Sequence, residues 1–221
     1  MITLKISEKL RAFLPEVVLS CIESDVMVCE HFPDLWEEIA MKTGELAVSL
    51  RVEDISRIPA IDASRRAYRL CGKDPARYRL SAEALLRRII QGKGIYQVNN
   101  VVDLLNLVSV SSGYSIGGYD ADKIEGEVEF GVGVDHEPYE GIGRGELNIE
   151  SLPVFRDANG PFGTPTSDSV RTMVTMSTRR FFMVIIDFGV PEELEKTTEL
   201  AIRLLKKYAF AQHVETKFIK N

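Results

Sequence analysis

Residues 179–189 read RRFFMVIIDFG, and the six consecutive apolar side chains Phe181 to Ile186 constrain the fold more than any other stretch. A strand with one face in water alternates apolar and polar residues, whereas a strand with no polar side is covered on both faces. The chain therefore needs layers on either side of this strand. EVEFGVGV (127–134) shows the other pattern, with Val128, Phe130, Val132 and Val134 on one face and Glu127, Glu129 and two glycines on the other. ITLKIS near the start, EVVLSCI (16–22) and VETKFI near the end are further strand candidates.

Helical spacing fills the intervals. SEKLRAFL has Ser7 as N-cap, and FPDLWEEIAMKTGELAVSL has Asp34 placed to cap it. Residues 61–93 read as two helices: DASRRAYRLCG, starting at Asp62 and stopping near Gly72, and SAEALLRRIIQGKG, capped by Ser81 with a Leu80–Leu85 staple. Residues 98–112 form a third, with Asn99 or Asn100 as N-cap and a polar stripe of Asp103 and Asn106 on an otherwise apolar element. VPEELEKTTELAIRLLKKYAFAQ is amphipathic, with Pro191 near its first turn. Strands and helices come in blocks rather than in βαβ alternation, so the fold class is α+β.

Several function classes find little support. The 221 residues contain three histidines, His31, His136 and His213, and no G-x-S-x-G motif. Cys21, Cys29 and Cys71 are an odd three without a C-x-x-C pair. We therefore expect no metal site, no cofactor and no disulfide framework. GIGRGE (141–146) and GVGV (131–134) lie among strands and lack the strand-turn-helix setting of a phosphate cradle. No apolar run reaches the roughly 18 residues of a membrane span, and the N-terminus lacks a signal-peptide core, so no membrane partner and a cytoplasmic location are expected.

Net charge is −6, yet residues 65–93 hold nine cations against Asp74 and Glu83. Arg65, Arg69 and Lys73 fall at i, i+4 and i+8, on one stripe, and Arg87 and Arg88 occupy a helix end. This basic face reads either as a polyanion contact or as a solvated helix surface paired with acidic neighbours. PFGTPTSDSVRTMVTMSTRR (161–180) gathers Thr164, Ser167, Asp168, Arg171 and Thr172. Hydroxyls with one carboxylate and one guanidinium suit a small polar ligand, while an exposed loop is the plainer reading.

The ordered series Asn99-Asn100-Val101-Val102-Asp103 with Asn106, then Gly118-Tyr119-Asp120, then Asp122-Lys123-Ile124, resembles the B3/B4 domain of the bacterial phenylalanyl-tRNA synthetase beta subunit. Arg156-Asp157-Ala158-Asn159-Gly160-Pro161 resembles a later turn of that family. The resemblance covers residues 81–190, and the whole chain looks like stand-alone versions of the domain. It implies a layered β-sandwich with helices packed on one side. It also implies one domain over 1–221, with 1–60 an N-terminal extension, 61–190 the core and 191–221 a C-terminal helix and strand.

In the synthetase this domain hydrolyses tyrosine wrongly attached to the phenylalanine tRNA. The resemblance therefore implies tRNA or aminoacyl-tRNA as partner. The expected pocket lies between a corner at 117–120 and the segment 164–172. Gly117 and Gly118 would be backbone donors and Asp168 would orient water. Asn100, Tyr119, Asp120, Thr164, Ser167, Arg171 and Thr172 would bind substrate, and Arg65, Arg69, Lys73, Arg87 and Arg88 would touch RNA. Two departures stand out: the family's histidine aligns with Gly117, and its Ala-Gly-(Ile/Val)-Met-Gly-Gly wall is replaced by Gly163-Thr164-Pro165-Thr166-Ser167-Asp168. Tyrosine specificity does not carry over. The second expectation is a non-catalytic module that holds an amino-acid-like ligand or an RNA end. The third, a purely structural interaction protein, expects no polar pocket near these segments.

Overall fold

The computed structural model describes residues 1–220. One sheet orders β1 (Leu4–Ile6), β4 (Val128–Val132), β7 (Pro153–Asp157) and β8 (Gly160–Gly163). The other orders β10 (Gln212–Ile219), β2 (Val18–Asp25), β9 (Arg180–Asp187) and β3 (Ser115–Asp120). A hairpin of β5 (Glu140–Gly141) and β6 (Gly145–Glu146) stands apart from both.

The apolar run is β9, and its alternation divides two cores. Phe182, Val184 and Ile186 meet Leu4, Phe130, Phe155 and Phe162 of the other sheet, forming a sandwich. Phe181, Met183 and Ile185 point the opposite way, into a core built by helices. All six are at most 1% exposed, and each contributes roughly 1.5–3 kcal/mol of transfer free energy. A one-residue slip against β2, where Leu19 faces Ile186 and Ile22 faces Met183, would exchange the two faces, so the register is strongly specified.

The helical layer consists of α2 (Pro33–Ser49), α5 (Ser81–Ile90), α6 (Asn100–Ser112) and α7 (Leu194–Tyr208), with the short α3 (Val52–Ile55) beside them. Between layers, α4 (Pro59–Leu70) gives Ile61 and Tyr68 to the helical core and Ala63 and Ala67 to the sandwich. The six-residue α1 (Glu8–Phe13) seats Leu10 at the sandwich's end, capped by Ser7 as expected. Residues 1–60 thus supply one strand to each sheet as well as helices.

Three expected helix starts shift. α2 begins at Pro33, which needs no N–H partner in a first turn, so Asp34 lies inside the helix rather than capping it. α4 likewise begins at Pro59, and Asp62 instead pairs with Arg66 at 2.6 Å. Ser81 is the first residue of α5, not its cap; its N–H donates to the carbonyl of Pro165 at 2.8 Å. That bond ties α5 to the segment expected to bind ligand.

α6 follows the reading closely. The Asn99 side chain accepts from the Val102 N–H, and Gly113, at φ 81°, ends the helix in the left-handed conformation. The polar pair resolves in part: Asp103 accepts from the Trp36 indole at 2.8 Å and from the Val98 N–H at 2.9 Å. The Gly-Gly-Tyr-Asp stretch is not a corner. It forms the last four of the six residues of β3, which pairs antiparallel with β9 from Ser115 opposite Ile186 to Asp120 opposite Phe181.

Candidate functional site

Strand β3 and the segment after β8 meet, although they are far apart in the sequence. The Gly118 N–H, on the free edge of β3, donates to Asp168 Oδ2 at 3.2 Å. A single bridge links Gly163 to Asp168, and the Asp168 carbonyl accepts from the Ile142 N–H at 2.9 Å. Alternation turns the Gly117 N–H the other way, toward β9, where it faces Val184. Asp168 is half-buried as a residue, but its Oδ1 is closed off from solvent and bonds to nothing. Burial pushes its carboxyl up to about 7, against the Gly118 N–H and the nearby Tyr119 hydroxyl, which favour the charged form.

The space between these walls is occupied. The Tyr119 ring fills the space, fully buried and edge-on to Phe162 at 4.8 Å between centroids. A Cβ on Gly117 would fall 2.0 Å from the Tyr119 hydroxyl, and one on Gly163 2.1 Å from it. Here the glycines accommodate a side chain of the protein itself, which corrects the expectation of a ligand approaching their backbone. The Tyr119 hydroxyl, like Asp168 Oδ1, has no hydrogen bond of ordinary geometry. Its pKa is raised by burial and by the Asp168 charge.

The other expected ligand-binding side chains divide. The Asn100 amide is fully used, accepting from Cys29 N–H at 2.7 Å and donating to the carbonyls of Met27 and Tyr208. Asp120 accepts from the Asp122 N–H and the Thr178 hydroxyl. Thr164 closes its own turn, accepting from Thr166 and Ser167 N–H and donating to the Ser167 carbonyl. Thr172 is buried with an unbonded hydroxyl. Two tyrosines missed by sequence reasoning hold this segment: Tyr68 bonds the Thr166 hydroxyl at 2.9 Å, and Tyr139 donates to the Ser167 carbonyl at 2.6 Å.

Open space lies on the other side of Tyr139. A cleft of about 1030 Å³ is lined by Tyr139, Glu140, Glu146, Asn148, Ser169 and Arg171, among others. Arg171 is fixed by two bonds to Asp157, at 2.8 and 3.1 Å, and Glu137 by Arg156. Ser169 and Arg171 reach this cleft from the expected segment; Asp168, one residue before, faces away from it. His136, at φ 55° in a turn, stands at the rim.

The basic face is organised by one carboxylate. Glu83, 1% exposed, receives Arg65 at 2.8 Å, Arg87 at 3.0 Å and Arg79 at 3.9 Å. The spacing of Arg79, Glu83 and Arg87, four and four, was the signal in the sequence. The stripe itself is interrupted: Lys73 lies beyond α4, is 8% exposed and donates to the Glu150 carbonyl, so it does not face outward with Arg69. Arg69 is exposed, and Arg88 stacks on Tyr96 at 3.8 Å.

A sandwich with one helical face, carrying a basic helix pair and a polar cleft, defines an α+β domain of a known kind. A family model described as the B3/4 domain matches residues 63–215, and the chain belongs to that family. Among solved structures, it is similar to an N-terminal fragment of the phenylalanyl-tRNA synthetase beta-subunit from Pyrococcus horikoshii. That match has 13% identity and a TM-score of 0.48, covering 99% of this chain and 50% of that one. The chain thus spans about half the length of the structure it matches. No curated protein matches it. Among the described residues no helix is long and apolar enough to cross a membrane.

Proposed function

We propose that the protein binds the aminoacyl end of an RNA, with phosphates on the arginines of α4 and α5 and the amino-acid part in the cleft, and that it does so without using Asp168 as a base. The observation that carries the reading is the convergence of Arg65, Arg79 and Arg87 on the one buried Glu83. One carboxylate orders three guanidiniums and neutralises only one of them, leaving a fixed excess of positive charge on a chain of net charge −6. Lys73 ties this face to Glu150, two residues from Asn148 of the cleft. Membership of the B3/4 family supports the choice of partner.

The test is the affinity for a charged and an uncharged tRNA, followed by anisotropy across a salt series. Three or four phosphate contacts give a slope of log K against log salt of about −2 to −4. Arg79→Ala should weaken binding to every RNA alike and reduce that slope by about 1. A salt-independent complex, or no complex, would overturn the reading. Hydrolysis of a mischarged tRNA is the second reading, favoured by the near-neutral Asp168 beside a backbone donor. With Asp168 sealed behind Tyr119, a panel of mischarged tRNAs should lose its amino acid no faster with the protein than without it. Deacylation that disappears in Asp168→Asn would install the second reading instead.

A further inference from the structure

We propose that Tyr96 and Arg88 form a stacking platform for an unpaired base of single-stranded RNA; this rests on the RNA-binding reading above. Tyr96 lies in the link between α5 and α6, which turns back on itself through Gly92 at φ 70° and Gly94 at φ 59°. The link brings Tyr96 onto the last turn of α5. There the Arg88 guanidinium sits 3.8 Å from the ring centroid and donates to the Tyr96 hydroxyl at 3.0 Å. Arg88 also donates to the carbonyls of Gly94 at 3.2 Å and Lys93 at 3.4 Å, so the cation is fixed by the loop it supports.

Tyr96 is 59% exposed as a residue while Arg88 lies against one face of its ring, so the solvent contact falls on the rest of the side chain, its other face included. Among the described residues no carboxylate comes within ion-pair distance of Arg88 or of the exposed Lys93. An open aromatic face backed by one unneutralised cation and flanked by another matches a nucleotide, whose base is a flat π-surface and whose phosphate is an anion. A peptide aromatic would use the ring but not the two charges. The platform is also placed for the same RNA. Arg87, one of the arginines ordered by Glu83, is the neighbour of Arg88 in the last turn of α5, so a strand crossing that turn meets both.

The probe is a fluorescein-labelled single-stranded oligoribonucleotide, with a blunt RNA duplex of the same sequence as its counterpart. Tyr96→Ala should weaken single-strand binding about tenfold and leave duplex binding within about twofold, while Tyr96→Phe, which keeps the ring, should bind like the parent. Replacing bases of the probe by abasic sites should cost the parent as much as Tyr96→Ala does and cost that variant little more. Because the probe itself carries this last comparison, it stands even if a variant folds poorly. Parent-like single-strand binding by Tyr96→Ala, equal losses on duplex and single strand, or a Tyr96→Phe as weak as Tyr96→Ala would each overturn the platform while leaving the salt-dependent complex intact. A parent that binds no RNA would overturn both.

Discussion

Asp168→Asn is expected to match the parent in stability near pH 4 and to exceed it by up to about 4 kcal/mol near pH 8. The cause is the enclosure of an acid. The unfolded carboxyl titrates at its ordinary 3.8, whereas burial raises the folded one to about 7. A group raised in the folded state contributes its full stability below the unfolded value. It loses that stability as pH climbs toward the folded value, because the unfolded chain releases its proton first. The parent should therefore weaken from about pH 4 to about pH 7 and then level off as far as this group is concerned.

Asparagine removes the titration while keeping the contacts. Its carbonyl oxygen can accept the Gly118 N–H that Asp168 Oδ2 now accepts, and its amide can donate to the buried Tyr119 hydroxyl, which lacks a partner. For a chain of this length about 4 kcal/mol corresponds to a midpoint shift of roughly 8–16 °C. Thermal or urea melts of both proteins at several pH values measure it. A difference that stays constant across pH would mean that Asp168 is not the enclosed acid described here.

The layers of the fold were legible because they follow from periodicity. Six apolar residues in a row required two covered faces, and β9 indeed divides two cores. The alternation of β4 and the asparagine-capped α6 were equally plain. What escaped depends on contacts distant in sequence. Gly117 and Gly118 read as a corner because glycine marks turns, yet pairing with β9 draws them into a strand, and the room they leave is taken by Tyr119 two residues on. Pro33 and Pro59 displaced expected caps because a proline at the first helical position outcompetes a side-chain oxygen one or three residues later.

The site was legible in its parts and not in its arrangement. The meeting of 118 with 168 was foreseen from the family resemblance, and the two do share a hydrogen bond. Their burial could not be read, because the ring that closes the space comes from the same glycine stretch that was expected to open it. Glu83 counted in the sequence as one acid among nine cations. Its 1% exposure makes it the group that orders three of them. Lys73 shows the opposite error: helical spacing put it on the stripe, but α4 ends at Leu70 and the lysine turns inward.

Gly117→Ala is expected to cost about 3 kcal/mol or more, while Gly118→Ala costs about 1 kcal/mol. The two positions are adjacent on one strand, so backbone propensity treats them alike and the difference lies in what each methyl would strike. At Gly117 the new carbon meets the Tyr119 hydroxyl at 2.0 Å and ring atoms at 2.5 and 2.9 Å. That ring has little room to retreat, with Gly163 along its other edge and Phe155, Phe162 and Phe182 around it. At Gly118 the nearest atom is Leu105 Cδ1 at 2.4 Å, the end of a side chain that can change rotamer.

A double-mutant cycle isolates the cause. In a Tyr119→Leu background, itself destabilised by the cavity it leaves, Gly117→Ala should cost less by about 2 kcal/mol. Equal costs in both backgrounds, or equal costs at 117 and 118, would dismiss the ring as the reason for the glycine. The same background bears on Asp168. If the Tyr119 ring is what keeps water from that carboxyl, the shorter leucine admits water and the pKa falls back toward the ordinary carboxylate range. The stability lost by Tyr119→Leu between about pH 4 and pH 7 should then be smaller than that lost by the parent. An undiminished loss would assign the enclosure of Asp168 to the segment held by Tyr68 and Tyr139, and the cleft beyond Tyr139 would be closed to Asp168 whatever becomes of Tyr119.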